Sequence, residues 1–341
     1  MSAVVRRRDT KPKAQSNEDR LIARHFMPIA GHPGALGLID DAAVLSPKPG
    51  HDLVVTADAI VGGVHFFSDD PADAVARKAL RVNLSDLAAK GAKPVGFLLA
   101  LALPKTIGEA WLKSFARGLG ADAKRYGCPL LGGDTVRTPG PLMVSITAFG
   151  ALPSGAMVHR AGAQVGDHVM VSGTIGDAAL GLQLRRDGKA ARRWKLSAPE
   201  RAHLARRYLV PQPRNALALA VRNYATAATD VSDGLAGDLA KLCRASGVAA
   251  AVDVARVPLS PAARKALQAD GDLLAAALSG GDDYEIVCTV RPGRLAAFQA
   301  AARAQGVPVA DVGRIVRGSG ATFRLPSGAA LAFARTSFSH F

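Results

Sequence analysis

Hydrophobic positions in this chain switch repeatedly between helical and strand spacing. Residues 72–90 place apolar side chains at Val75, Ala79, Leu80, Leu84 and Leu87, with Asp73 near the start and Gly91 at the stop, which predicts a helix. Residues 108–126 predict a second helix, stopped by Gly127, and residues 18–30 show weaker helical spacing that ends at Gly31-His-Pro-Gly34. Between them lie β-prone runs. Leu53-Val-Val-Thr56 is short and ends at Asp58; Phe97 to Leu103 is continuous and closed by Pro104; Leu142 to Leu152 is rich in β-branched residues. The first half therefore alternates strand and helix, as an α/β or α+β layered fold does.

Pro153-Ser-Gly155 and Gly162 to Gly166 break the pattern, and the domain boundary is placed there. The expected organisation is a basic tail over 1–17, an N-terminal domain over 18–154 and a C-terminal α+β domain over 155–341. In the second half, Val169 to Ser172 reads as a strand and Asp177 to Arg186 as a helix. Then come a strand to Thr229, a helix over 234–246, a strand over 249–254, a helix over 261–278, a strand over 284–290, a helix over 292–305, and short strands. No solenoid period is visible.

Composition narrows the class. With 341 residues and 49% hydrophobic content, the chain can build about two domains with real cores, and 5% aromatics makes those cores aliphatic. Forty-three basic against 28 acidic residues leave a net charge of +15, which suits an anionic partner: a nucleotide, a phosphorylated metabolite or a nucleic acid. Cys128, Cys243 and Cys288 are scattered, with no C-x-x-C, so a disulfide scaffold or thiolate zinc site is disfavoured and a reducing cytoplasm fits. No apolar run reaches the ~18 residues of a membrane span. The basic start, Met1 to Ser16, lacks an apolar segment after it and reads as a solvated tail rather than a secretory signal. Residues 185–207 hold nine basic residues. A solvated helix face is the expected reading, since only Trp194 and Tyr208 are there to stack on bases.

The placement of aspartate carries the chemistry. Asp40-Asp41, Asp58, Asp86, Asp134, Asp230 and Asp233, and Asp282-Asp283 sit at expected element ends or beside Gly, Ser and Thr. Singly, each has a turn or capping reading; Asp233 is placed to cap a helix that begins at Gly234. Asp86 is different, because a carboxylate among Leu84, Leu87, Ala88 and Ala89 needs a partner if buried. Carboxylates beside glycines in several loops suit a hard divalent cation bound together with phosphate. Other chemistries lack their motifs: no P-loop, H-E-x-x-H, G-x-S-x-G, dinucleotide fingerprint or kinase H-R-D/D-F-G set occurs. The eight His do not cluster at ligand spacing; His65, after Gly62-Gly-Val, is the one to follow, against the plain reading of an exposed turn residue.

Nine segments in order carry a resemblance. They are Asp40-Asp41-Ala-Ala-Val-Leu, Thr56-Ala-Asp58, Gly63-Val-His65-Phe, Asn83-Leu-Ser-Asp-Leu-Ala-Ala-Lys-Gly-Ala, Gly132-Gly-Asp-Thr135, His159-Arg-Ala-Gly-Ala, Gly173-Thr-Ile-Gly-Asp177, Asp230-Val-Ser-Asp-Gly-Leu and Gly280-Gly-Asp-Asp-Tyr-Glu. From about Leu21 to Phe341 the chain resembles the thiamine-monophosphate kinases. Their superfamily also holds aminoimidazole ribonucleotide synthetase, selenophosphate synthetase and a hydrogenase maturation factor. The resemblance implies a two-domain fold whose N-terminal sheet pairs across a homodimer into a barrel, with ATP and several Mg²⁺ ions in a cleft beside it. Position by position it implies metal at Asp41, Thr56, Asp58, Asp86, Asp134, Asp230 and Asp233. It implies ATP at Gly133, Asp134, Arg160 and Ser232, and thiamine monophosphate at His65, Asp282 and Phe338. No protein nucleophile is expected.

Five positions depart from the family pattern: Ile39 stands for a Gly, Ala57 for the Thr of T-D, Val64 for an Asn, Asp282 for a Glu, and Phe338 for Tyr or Trp. The activity implied is transfer of the ATP γ-phosphoryl group to thiamine monophosphate, giving thiamine diphosphate. An aminoimidazole ribonucleotide synthetase-like reaction stays as the alternative. No Cys precedes Cys128 and none ends the chain, which counts against the selenophosphate and hydrogenase branches. A basic nucleic-acid-binding protein is the rival from another class, disfavoured by the lack of an aromatic-rich surface.

Overall fold

Two sheets organise the molecule, and one buried helix lies between them. The computed structural model describes residues 20–40, 42–335 and 337. The first half runs β1 (His51–Val61), α1 (Ala72–Ala89), β2 (Lys93–Leu103), α2 (Glu109–Tyr126), β3 (Leu130–Arg137) and β4 (Met143–Pro153). The sheet order is β1-β4-β2-β3; β4 is antiparallel to both neighbours and β2 is parallel to β3. Gly127 ends α2 at φ 60°, a left-handed position that glycine adopts without strain. Side chains alternate across the sheet. Val144, Ile146 and Ala148 are buried toward the helices, while Ser145 and Thr147 face the other way and stay half-exposed. On that second face β1 presents Leu53, Val55, Ala57 and Ala59, all exposed.

The second half runs β5 (His168–Ser172), α3 (Asp177–Arg186), α4 (Ala190–Arg193), α5 (Ala198–Leu209), α6 (Ala218–Tyr224), β6 (Ala225–Val231), α7 (Leu235–Ser246), β7 (Ala249–Asp253), α8 (Pro261–Ala269), α9 (Leu273–Ser279), β8 (Glu285–Val290), α10 (Leu295–Ala304), β9 (Val309–Val316) and β10 (Gly320–Arg324). Its sheet order is β10-β7-β9-β5-β8-β6, which puts β6 at an edge.

Helix α1 is buried along nearly all its length. Leu80, Leu84 and Leu87 join the core of the first half, whereas Ala88 and Ala89 pack with Met170, Ala228 and Ile286 of the second. A helix enclosed on several sides does not need a single apolar stripe. Its polar residues are therefore conspicuous. Lys78, Arg81, Asn83 and Ser85 are all buried on it. Arg81 grips Asp122 with two hydrogen bonds of 2.5 and 2.9 Å and donates to the Pro211 carbonyl.

Several expectations needed correction. Asp58 lies inside β1 rather than at its end, because β1 pairs with β4 as far as Val61↔Met143. The Gly132-Gly-Asp segment is part of β3, not a turn. The expected helix over 261–278 divides into α8 and α9, with Gly271 in the gap. Residues 22–29 form a π-helical stretch and a 3₁₀ turn. The 185–207 segment is not simply a solvated face: Trp194 is buried, and Arg207 is buried against Glu285. Asp233 does not cap a helix; Gly234 is the N-cap of α7, at φ 111°. The three cysteines are buried and unpaired. No helix among the described residues is long and apolar enough to cross a membrane.

Candidate active site

Strand β1 turns its even positions toward α1. Val54 and Ile60 are buried there, and Thr56 and Asp58 share the face. Thr56 Oγ1 donates to Asp86 Oδ2 at 2.5 Å, which supplies the partner that the α1 carboxylate requires. From the second half, β6 ends at this place. It brings Asp230 near its C-terminus, and Asp233 follows in the turn before α7. Lys90, just past the end of α1, donates to the Ala228 carbonyl at 2.9 Å and so ties the helix to β6.

The acids at this junction disturb one another. Displaced water pushes the Asp58 carboxyl up to about 6, and repulsion from Asp86 and Asp233 acts in the same direction. Burial raises Asp230 well above the usual carboxylate range, with Asp86, Asp238 and Asp58 adding to it. Burial lowers Lys90, as does Arg160, while Asp230 and Asp86 oppose the shift. Arg160 Nε donates to Thr229 Oγ1 at 3.2 Å, beside Asp230. Asp233 is held by Lys241, which also binds Asp238 at 2.9 Å.

A second cluster of polar groups is built on the turn after β1. His65 Nδ1 accepts the Val61 amide at 3.0 Å, which fixes the ring over its own turn. Across from it, residues 281–284 pair with the end of β6. The Asp282 amide donates to the Ser232 carbonyl at 2.7 Å, and Tyr284 to Val231 at 2.8 Å. Asp282 and Tyr284 are both left-handed, at φ 64° and 50°, a backbone state that costs energy in residues other than glycine and gathers at working sites. Burial pushes the next carboxyl, Asp283, up to about 8. Lys78 Nζ reaches Asp282 Oδ2 and the His65 carbonyl, each at 2.9 Å.

The structure thus brings Thr56, Asp58, Asp86, Asp230 and Asp233 to one junction, with Arg160 and Ser232 beside it and His65 and Asp282 at its far end. It does not bring Gly133 and Asp134 there. Asp58, Ile146, Leu99 and Gly133 form one row across the sheet, so about 14 Å separates β1 from β3 at 4.8 Å per strand. Asp134 pairs with Ala100 on the opposite face, exposed, and its Oδ1 accepts the Thr135 amide. Asp41 and Phe338 lie outside the described residues, as does the basic tail. Ile39 is 80% exposed. Sequence reasoning missed Lys78, Lys90, Asp238 and Lys241. Lys90 was inside the quoted Asn83–Ala92 segment; the other three carried no motif signal.

The donors at the junction are all oxygen, two of them carboxylates raised by burial and then by their acidic neighbours, which fits a hard divalent cation. Among the described residues no three His, Cys, Asp or Glu side chains form a cage for an ion by themselves.

Known proteins share this two-domain fold. Residues 39–152 match the AIR synthase related protein N-terminal domain and residues 164–325 its C-terminal domain. The chain is 48% identical over 305 residues to the thiamine-monophosphate kinase of Caulobacter vibrioides, covering 88% of this chain and 84% of the relative. It is 40% identical over 301 residues to that of Escherichia coli, covering 87% and 90%. The crystal structure of thiamine-monophosphate kinase from Stenotrophomonas maltophilia superposes with a TM-score of 0.80 at 40% identity, over 92% of this chain and 96% of that one. AaThiL complexed with AMPPCP and TMP superposes at 0.74 with 29% identity, over 90% and 97%. The E. coli hydrogenase maturation protein HypE shares the fold at 20% identity, with a TM-score of 0.75 over 93% of this chain and 97% of that one. With both domains matched and its relatives aligned along most of their length, this chain belongs to the thiamine-monophosphate kinase family.

Proposed function

We propose that the chain transfers the γ-phosphoryl group of ATP to thiamine monophosphate, yielding thiamine diphosphate and ADP. An acceptor phosphate oxygen attacks the γ-phosphorus, and the bond to the β-phosphate bridging oxygen breaks. The convergence of carboxylates from β1, α1 and β6 carries this reading. The acceptor phosphate is already an anion at neutral pH, so no strong base is needed; the obstacle is repulsion between two polyanions. Magnesium held by Thr56, Asp58, Asp86, Asp230 and Asp233 would offset that charge. Arg160, Ser232 and Lys90 stand where ATP phosphates would approach, and His65 and Asp282 where the thiamine end would lie.

The reading also includes a homodimer. The exposed apolar residues Leu53, Val55, Ala57 and Ala59 give β1 an open face that a second sheet would cover, closing the barrel. Gly133 and Asp134 would then meet ligand only through what the second copy contributes. The domain boundary at 154/155 falls in the connection between β4 and β5. A cytoplasmic location belongs to the same reading, since three unpaired cysteines suit a reducing compartment.

The test is conversion of thiamine monophosphate to the diphosphate, followed by chromatography of thiochrome derivatives. Product that requires both Mg²⁺ and ATP is expected. Folded protein that binds Mg·ATP but forms no product would move the acceptor to another metabolite, of which aminoimidazole ribonucleotide synthetase-type substrates come first.

A further inference from the structure

We infer that Lys78 is a positioning residue for the acceptor end of the site, holding the Asp282 carboxylate and the His65 turn in one fixed arrangement. The inference deepens the phosphotransfer reading and rests on it. Lys78 is 2% exposed, yet it lies on α1 eight residues before Asp86, about 12 Å along the helix axis. One helix therefore serves both ends of the proposed site: Asp86 at the phosphate end and Lys78 at the acceptor end.

The ammonium group has three donors, and each is used. One goes to the His65 carbonyl and one to Asp282 Oδ2, both at 2.9 Å; the third side lies over the Tyr208 ring, 4.2 Å from its centroid. Tyr208 closes the triangle by donating its own hydroxyl to the His65 carbonyl at 3.4 Å. The two acceptors come from different halves of the chain, so the lysine locks one half onto the other. The turn it holds is tied again by Arg185 of α3, which pairs with Asp69 and Asp70 and covers the Phe67 ring.

Stability alone is a poor reason for such a pair, since a buried ion pair is often no better than an apolar substitute of equal volume. Geometry gives a better one. The Asp282 backbone is left-handed and its amide is fixed to Ser232, so side-chain rotation is the freedom that remains. Lys78 removes that freedom by engaging Oδ2, which leaves Oδ1 to meet a ligand. The aspartate side chain is short, so the direction in which its carboxylate is held decides what it can reach.

The test is a two-substrate kinetic comparison of the wild type with Lys78→Met, Asp282→Asn and the double variant. Lys78→Gln, which retains a donor in the slot, serves if the methionine variant does not fold. The expected result is a rise of about tenfold or more in KM for thiamine monophosphate in Lys78→Met, with KM for ATP within about threefold of wild type. The double variant should be no worse than the poorer single one, because Lys78 acts through Asp282. Additive effects, parallel shifts in both KM values, or an unchanged acceptor KM in folded Lys78→Met would overturn the assignment. Wild-type protein that forms no thiamine diphosphate would overturn it together with the proposed reaction, whereas failure of the variant pattern alone leaves that reaction standing.

Discussion

Replacing Glu285 by Gln removes one charge from a place where the protein has no substitute. Glu285 is fully buried at the start of β8. Its Oε1 accepts from Arg207 at 2.9 Å and Arg214 at 2.5 Å, and its Oε2 accepts from Arg214 Nε and Ser172 Oγ, both at 2.6 Å. Arg207 is 3% exposed, and its Nε and Nη1 have no partner among the described residues. Its remaining nitrogen bonds Glu285 and the Asp283 carbonyl. The nearby Asp283 side chain is a poor substitute, since burial pushes its pKa up to about 8 and so disfavours its charged form. The variant therefore leaves two guanidinium charges at a site that held one carboxylate. Breaking a buried pair from one side costs about 3–5 kcal/mol. At roughly 2–4 °C per kcal/mol for a unit of this size, the melting temperature should fall by about 6–20 °C. Denaturant unfolding followed by tryptophan fluorescence can read it, because Trp194 is buried in the same half of the chain and Trp111 reports on the other. Adding Arg207→Met should recover part of the loss. A loss under about 1 kcal/mol for Glu285→Gln alone would show that Arg207 does not depend on this carboxylate, and the reasoning would fail.

Three other outcomes are expected. Asp86→Asn should lower turnover by about 100-fold or more, while its melting temperature without divalent cation stays within about 3 °C of wild type; full activity would remove Asp86 from the proposed metal site. Gly133→Ala should cost about 2–4 kcal/mol by denaturant unfolding, because a Cβ at φ 154° would stand 1.8 Å from the Leu99 carbonyl oxygen and force β3 off β2. Glu200, held by Lys265 and by the Ser197 amide and hydroxyl, is lowered to about 2. Its contribution to stability is complete above the unfolded value near 4.5 and is lost as the pH falls toward 2. The gap in melting temperature between wild type and Glu200→Gln should thus shrink from pH 6 to pH 3, and a constant gap would contradict the pairing.

The local elements were largely legible because their signals are short in range. The 72–90 and 108–126 helices, each with its terminal glycine, appear in the structure within a residue or two. Misreadings arose where pairing with a distant strand overrode local composition. Glycines suggested a turn at 132–134, but hydrogen bonding to β2 makes it a strand. Asp58 appeared to end β1, but β4 continues the pairing beyond it.

The order of nine short segments was enough to identify the family, and five residues within them, Thr56, Asp58, Asp86, Asp230 and Asp233, lie close together in the fold. Spacing along a chain cannot say which side of a sheet a residue occupies relative to a partner a hundred residues away. That decision belongs to strand register, which puts Asp134 on the face opposite Asp58. Nor does Lys78 look special in sequence; it reads as one more charge on an amphipathic helix. It becomes a candidate only when two sheets enclose α1, removing the water around the ammonium group and leaving it a carbonyl from one half and a carboxylate from the other. The sequence determined most of the elements and the chemistry of the donors, because these depend on residue type and near neighbours. The tertiary structure decided which donors meet, because burial and register are set by contacts between segments far apart in the chain.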